Sequence, residues 1–477
     1  MHRGGRSAAI IAISVSAIWW FGLFVTGFPR PHFDDIFFVG TAQNLAAGHG
    51  LANPYIARWT AQFGTQSFFG QPPFHSYLLA GWIELFGSGT NPLRAFNIAC
   101  CFATNLLLIA LCRRANLGWL NALAVGLLVS TALLRTGLRP DAAGMLATCA
   151  AAYGWSGTSR ISWFIGCVCG AAAPCIHPFT AAFVVPLGIW FLANRAAGQP
   201  VPAKQAGVLG GMALLATFCV FGIFLAAIEG RIGEFMQVFR QHAGLREVAG
   251  GRQWSVLFEK LTFGREPWLR WPTVGVFVLT GALAYRMPTA RARVLSVVSV
   301  FGLFIVCGTL LYTNYVPSLL YLFALVGAAF MAATLPGRHR VAIGAIWVVA
   351  LGLMSFPGGY WALFGRQFSI DAAPLRARLS AYETEGRRLL IDEYAARYVY
   401  DWRLPAGAQD WLHCHWDPFL PYRPPKVAEK PSDEVWVIEA SKLEMYVPDS
   451  AIINERVTLF GHKSSLFRDR GDIRIIP

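Results

Sequence analysis

The sequence predicts an α-helical polytopic membrane protein with a small α/β domain at its C-terminal end. Three observations predict it. Apolar residues make up 55% of the 477-residue chain and charged residues only 14%, against about 25% charged in soluble domains; mean hydropathy is +0.46. Apolar runs of bilayer-crossing length recur from the N-terminus to about residue 357. From about Gly365 the composition changes to that of a soluble domain, with the strand-like segments RRLLID, EVWVIEA and VTLF among Pro-rich turns.

About eleven spans are expected, near residues 8–28, 92–112, 118–136, 141–157, 161–176, 178–193, 206–228, 272–285, 294–312, 315–334 and 341–357. The first could pass for a signal peptide, but its apolar run of about 20 residues exceeds a typical h-region and FPRP lacks the small residues of a cleavage site. The near-continuous stretch from Ile161 to Leu192 is divided at His177-Pro178, since it is too long for one crossing.

The segment PPFHSYLLAGWIELFG is about 16 residues long and is either a short span or a re-entrant or interfacial helix. Charge decides between them. If it does not cross, Arg3/Arg6, Arg113/Arg114, Arg160, Arg195/Lys204, Arg286/Arg291/Arg293 and Arg338/Arg340 share one side, in loops without Asp or Glu. That side is cytoplasmic by the positive-inside rule, and it includes the N-terminus. Asp34, Asp35, Glu84, Asp141, the acids of the 229–271 loop and the C-terminal tail then fall on the extracytoplasmic face. The formal net charge of +14 reads as this loop asymmetry, and nucleic acid is not expected as a partner. Residues 1–364 are therefore read as the transmembrane domain. Residues 29–91 and 229–271 are its two large extracytoplasmic loops, and 365–477 form the soluble extracytoplasmic domain.

Ten cysteines are present. Nine lie in apolar runs or at their ends and read as small buried hydrophobes; no disulfide framework or metal-ligand spacing is visible.

Candidate chemistry sits at the extracytoplasmic ends of spans. Asp34-Asp35 follow the first span; one would cap the next helix, but two adjacent carboxylates exceed what a cap requires and suit general-base work at a membrane boundary. Leu138-Arg139-Pro140-Asp141 begins a span, where Pro then Asp also makes a good helix start. Tyr312-Thr313-Asn314-Tyr315 lies between two spans, where an aromatic interface belt is the simpler explanation. His177-Pro178 is explained by a polar break between helices.

The order of these features is one span, an acidic pair, an amphipathic helix, PP-x-x-x-x-LL-x-x-x-x-x-LFG, then Leu93-Arg94-Ala95-Phe96-Asn97. It resembles the GT-C glycosyltransferases that use polyprenyl-phosphate sugars, especially the branch with aminoarabinose transferases of lipid A and protein O-mannosyltransferases. The resemblance covers about residues 8–335. It implies a multi-pass enzyme of the bacterial inner membrane with a periplasmic C-terminal domain. Its donor would be a polyprenyl-phosphate-linked sugar, its acceptor a hydroxyl of an envelope glycan, lipid or protein, and membrane lipids its surroundings. It also implies inversion at the anomeric carbon, with no metal and no cofactor beyond the lipid-linked donor.

By the same resemblance, Asp34 matches the family's first-loop carboxylate, with Asp35 beside it. Asp141 matches an Asp that faces the same cavity, and Tyr315 a Tyr near the lipid carrier; Arg139, Tyr312, His75 and Gln71 are further candidate substrate-binding residues. Gln71 stands where some relatives carry a Lys that contacts the carrier phosphate. That contact falls instead to a basic residue of the second loop: Arg240, His242, Arg246, Arg252 or Arg265. A transporter or lipid-linked-sugar flippase is the alternative. It requires ionisable groups within spans and repeated broken helices, whereas these spans hold almost no charge, and what there is lies near their ends, as at Arg94, Arg135 and Asp141, with Arg139 in the gap between two of them. A structural assembly protein would leave the acidic pair without a role.

Overall fold

The computed structural model describes residues 3–25, 35–54, 64–114, 118–133, 137–181, 203–244, 372–392, 432–439, 455–460 and 470–477, with a few single positions besides. The expected spans at 272–285, 294–312, 315–334 and 341–357 lie outside the described residues, as do Asp34, Arg246, Arg252, Arg265, Tyr312 and Tyr315.

The described part of the membrane region is helical: α1 (Arg3–Val25), α2 (Asp35–Ala46), α3 (Phe74–Phe86), α4 (Thr90–Arg114), α5 (Trp119–Ala132), α6 (Asp141–Trp155), α7 (Arg160–Ile176), α8 (Ala203–Ala227) and α9 (Ile232–Gly244). A helix satisfies its own backbone, which is the condition for apolar sequence to lie in lipid. Among the described residues, three helices have the length and composition to cross a bilayer: α1, α4 and α8. On α1 and α8 the side chains of Ile10, Ile18, Phe21, Leu214, Phe218 and Ile223 are exposed, as lipid-facing residues are.

The helix α3 has 13 residues, about 20 Å at 1.5 Å per residue, which is less than the roughly 30 Å of the hydrocarbon core. Gly87 ends it with a φ of 88°, and the Gly87 N–H returns to the Ile83 carbonyl at 2.7 Å. Helices α5 and α6 are shorter than the apolar runs that contain them, at 14 and 15 residues. A turn precedes α6, which starts at Asp141, where its apolar run is expected to begin. Gly137 adopts a φ of 59°, and Pro140 has no N–H with which to continue a helix.

Close packing comes from glycines, as in membrane interiors generally. Between α6 and α7, a Cβ on Gly154 would lie 2.6 Å from the Cα of Gly166. Trp155 fills the space beside them, with its indole N–H on Cys167 Sγ at 3.4 Å and its ring beside Trp163 and Phe191. All eight described cysteines are free thiols, five of them buried.

The first loop folds back onto the helices. Asn44 Nδ2 donates to the carbonyls of His49 and Gly50, both at 3.2 Å, closing the C-terminus of α2. Asn53 Nδ2 donates to those of Ile36 and Phe37, both at 3.1 Å. Leu51 and Phe69 are then buried with Phe224, Ile228, Phe235 and Val238, at the turn from α8 into α9. Arg231 in that turn donates to Ser67 Oγ at 2.9 Å and pairs with Glu229 and Glu234 at 3.2 and 3.5 Å. Glu234 also accepts from Thr65. Because Arg231 is one-third exposed, its ion pairs are worth no more than about 1 kcal/mol, so Arg231→Met should loosen the loop without unfolding the protein. Faster hydrogen exchange confined to residues 64–71 is expected, and unchanged exchange there would show that the apolar contacts suffice.

At the C-terminal end, α10 (Ala373–Thr384) precedes a four-stranded sheet of β1 (Arg388–Ile391), β2 (Glu434–Glu439), β3 (Glu455–Phe460) and β4 (Arg470–Ile476), in the order β1-β2-β4-β3. The β1–β2 pair is parallel, and both other pairs are antiparallel. Val435, Trp436, Val437 and Ile438 form a continuous buried run on β2, the pattern of a strand covered on both faces. Leu375, Leu379 and Tyr382 of α10 are buried at helical spacing.

Candidate functional site

Four elements meet at the turn that precedes α6. The turn leaves backbone groups of residues 137 and 138 outside any helix, and in a dry interior such groups require partners. Side chains supply them. Asp35, the first residue of α2, is fully buried and its Oδ1 accepts the Leu138 N–H at 2.8 Å. His75 of α3 donates from Nε2 to the Leu138 carbonyl at 2.8 Å. Asn97 of α4 donates from Nδ2 to the Gly137 carbonyl.

The same turn delivers Asp141 as the first residue of α6. Its carboxylate is fully buried. Oδ2 accepts from Arg139 Nε at 3.3 Å and lies 3.8 Å from His177 Nε2. Pro140, just ahead of α6, supplies no side-chain cap. His177 ends α7, and its Nδ1 accepts the Phe179 N–H at 3.3 Å. That bond assigns the hydrogen to Nε2, the atom that faces Asp141. The approach is close because Gly144 has no side chain: a Cβ there would lie 2.9 Å from that of His177.

Two acceptors in this cluster are buried and have no hydrogen-bond partner among the described residues: Asp141 Oδ1 and His75 Nδ1. Since Nε2 of His75 donates to a carbonyl, the neutral ring presents Nδ1 as a lone pair. The ring is enclosed by Phe38 and Phe96. Burial pushes its pKa down from 6.5 to about 4, against the Leu138 carbonyl, which raises it; His177 lowers it further and Asp141 raises it.

A measurable pH dependence follows. The folded pKa lies below the unfolded value, so between about pH 6.5 and 4 the unfolded chain binds the extra proton. The stability contributed by neutral His75 is therefore complete above that window and is lost as pH falls through it. Thermal melting of the detergent-solubilised protein should weaken more steeply from pH 7 to 4.5 in the native chain than in His75→Gln. Parallel curves would rule out a buried neutral histidine.

The structure thus brings Asp35 and His75 to the turn that carries Arg139 and Asp141, from which both are far apart in sequence. Gln71 is half-buried in the turn leading into α3. Arg240 is exposed on α9, whose Phe235 and Val238 are buried, and His242 lies in the last turn of the same helix. Arg231, a further cation among the described residues of that region, is neutralised by two glutamates. Asn97 and His177 belong to the cluster although sequence reasoning assigned them no role. The signal available for each was a polar side chain within an apolar stretch.

The fold around this cluster is that of a polytopic helical membrane protein. Among solved structures it is similar to that of ArnT from Cupriavidus metallidurans bound to undecaprenyl phosphate, with a TM-score of 0.53, 14% sequence identity, and coverage of 98% of this chain and 97% of that one. No protein-family model matches the chain, and no curated protein matches it in sequence.

Proposed function

We propose that the chain is an integral-membrane glycosyltransferase that moves a sugar from a polyprenyl-phosphate carrier to a hydroxyl of an envelope lipid, glycan or protein on the extracytoplasmic face. The observation that carries this reading is the buried cluster itself. Asp35, the PP segment and the Leu-Arg-Pro-Asp turn meet at one place, where two buried acceptors stand ready for hydroxyl donors. The similarity to a structure bound to undecaprenyl phosphate supports a polyprenyl-phosphate carrier.

In this mechanism the acceptor hydroxyl attacks the anomeric carbon while a carboxylate of the Asp34-Asp35 pair takes its proton. The bond from the anomeric carbon to the phosphate oxygen breaks, and its electron pair leaves with the polyprenyl phosphate. Attack from the face opposite the leaving group inverts the anomeric centre. Asp141, steadied by Arg139 and His177, and the Nδ1 of His75 accept hydroxyl hydrogens of the substrate. Gln71, Tyr312 and Tyr315 complete its binding. The departing phosphate is met by a cation of the second loop, from among Arg240, His242, Arg246, Arg252 and Arg265, through charge-assisted hydrogen bonds. The reaction requires neither a metal nor a cofactor.

Mass spectrometry of lipopolysaccharide, envelope glycans and polyprenyl-linked sugars, with and without the gene, tests the reading. Loss of one sugar from an envelope acceptor, with its lipid-linked donor accumulating, is the expected result. An unchanged envelope together with an unchanged donor pool would overturn it.

A further inference from the structure

We propose that Asp35 is a positioning residue: with His75 and Asn97 it clamps the turn at residues 137 and 138, and it does not itself take the proton. The inference rests on the glycosyltransferase reading only for its consequence for rate; the clamp stands on geometry. Three side chains from α2, α3 and α4, separated from the turn by 103, 63 and 40 residues of sequence, bond to two successive peptide units. They satisfy the Leu138 N–H, the Leu138 carbonyl and the Gly137 carbonyl. These are groups that a continuous helix would have satisfied internally, and that cost stability if left bare in an apolar interior.

The direction of these bonds carries the assignment. Asp35 Oδ1 is an acceptor for a backbone amide, and its residue is fully buried. Such a bond requires an oxygen with a lone pair and does not require a negative charge, so a carboxamide oxygen can replace it. A proton acceptor in the reaction, by contrast, has no substitute in a carboxamide. From clamped Leu138 the chain passes through Arg139 and Pro140 and reaches Asp141 three residues on. Holding residue 138 on both its N–H and its carbonyl therefore fixes the position of the buried Asp141 carboxylate. In the acidic pair, Asp35 then sets geometry, and proton transfer falls to Asp34.

The test uses the full-length protein in lipid nanodiscs for hydrogen exchange, and membranes of the deletion strain, which hold their own donor and acceptor, for sugar transfer. Asp35→Ala should speed exchange at the Leu138 amide by about tenfold or more, a bond's worth of protection. It should slow transfer about 100-fold, the effect of misplacing a reacting group by about 1 Å. Asp35→Asn should restore the exchange protection, recover most of the lost rate and keep the acid limb of the pH profile. If Asp35→Asn keeps the turn protected yet is as inactive as Asp35→Ala, or loses the acid limb, Asp35 is the proton acceptor and the proposal is wrong. If Asp35→Ala leaves exchange unchanged, the clamp does not hold the turn, and the proposal is equally wrong. The Asn variant decides by exchange and pH profile even where the Ala variant fails to fold. Should the native chain restore no sugar transfer to the deletion strain, the glycosyltransferase reading falls, while exchange still judges the clamp.

Discussion

Asp34→Asn is expected to yield a protein that inserts and folds as the native chain does, yet transfers sugar about 10²–10⁴-fold more slowly, the contribution of a positioned general base. The argument rests on the division of labour in the acidic pair. Asp35 is buried with one oxygen committed to the Leu138 amide, and Asp141 is held by Arg139 beside His177. Proton removal in the proposed reaction is then assigned to Asp34. The change from carboxylate to carboxamide is nearly isosteric, so its effect should appear in the rate and not in folding. Transfer by membranes of the complemented deletion strain reports the rate, and melting of the purified variant reports folding. A variant that keeps transfer within a few-fold of the native rate would remove Asp34 from the chemistry.

The helices with long apolar runs were legible in the sequence because lipid imposes one simple condition, a continuous apolar stretch that satisfies its own backbone. The shortness of α3 was legible too, from the length of the apolar segment that forms it. The parts of the site that form local patterns could also be read: adjacent aspartates, and Pro followed by Asp at a helix start. What could not be read is their convergence. Nothing in the spacing of Asp35, His75 and Asn97 shows that all three bond to residues 137 and 138. His177 was hidden for a different reason, because Pro178 alone accounts for a break in the helix. Its role depends on Gly144 allowing close approach, a tertiary fact. Arg231 shows the converse limit: it resembled the other basic residues of the second loop until Glu229, Glu234 and Ser67 were found around it.

Gly166→Leu should cause the largest loss of folded protein. A Cβ at this position would lie 2.7 Å from Trp155 Cδ1, 2.8 Å from the Trp155 amide nitrogen and 3.0 Å from the Ala151 carbonyl oxygen. Two of these three neighbours are backbone of α6, so no rotamer change relieves the clash and the helices must separate. Overpacking typically costs about 1–3 kcal/mol where side chains can adjust; here it also removes interhelical van der Waals contact, a principal source of association within a bilayer. The consequence reaches the site, because α6 begins at Asp141 and α7 ends beside His177. Separating the hairpin at Gly154 and Gly166 therefore disturbs the contact between those two residues at its other end. Gly210→Leu supplies the control: Gly210 lies exposed on α8, with no atom of the described residues within 4 Å of its would-be Cβ, so a leucine there meets none of the clash that Gly166→Leu creates. Size-exclusion profiles of detergent extracts should show a monodisperse peak for Gly210→Leu and little or none for Gly166→Leu. Equal yields would mean that the α6–α7 hairpin is not closely packed, and with it the contact of Asp141 with His177 would lose its support.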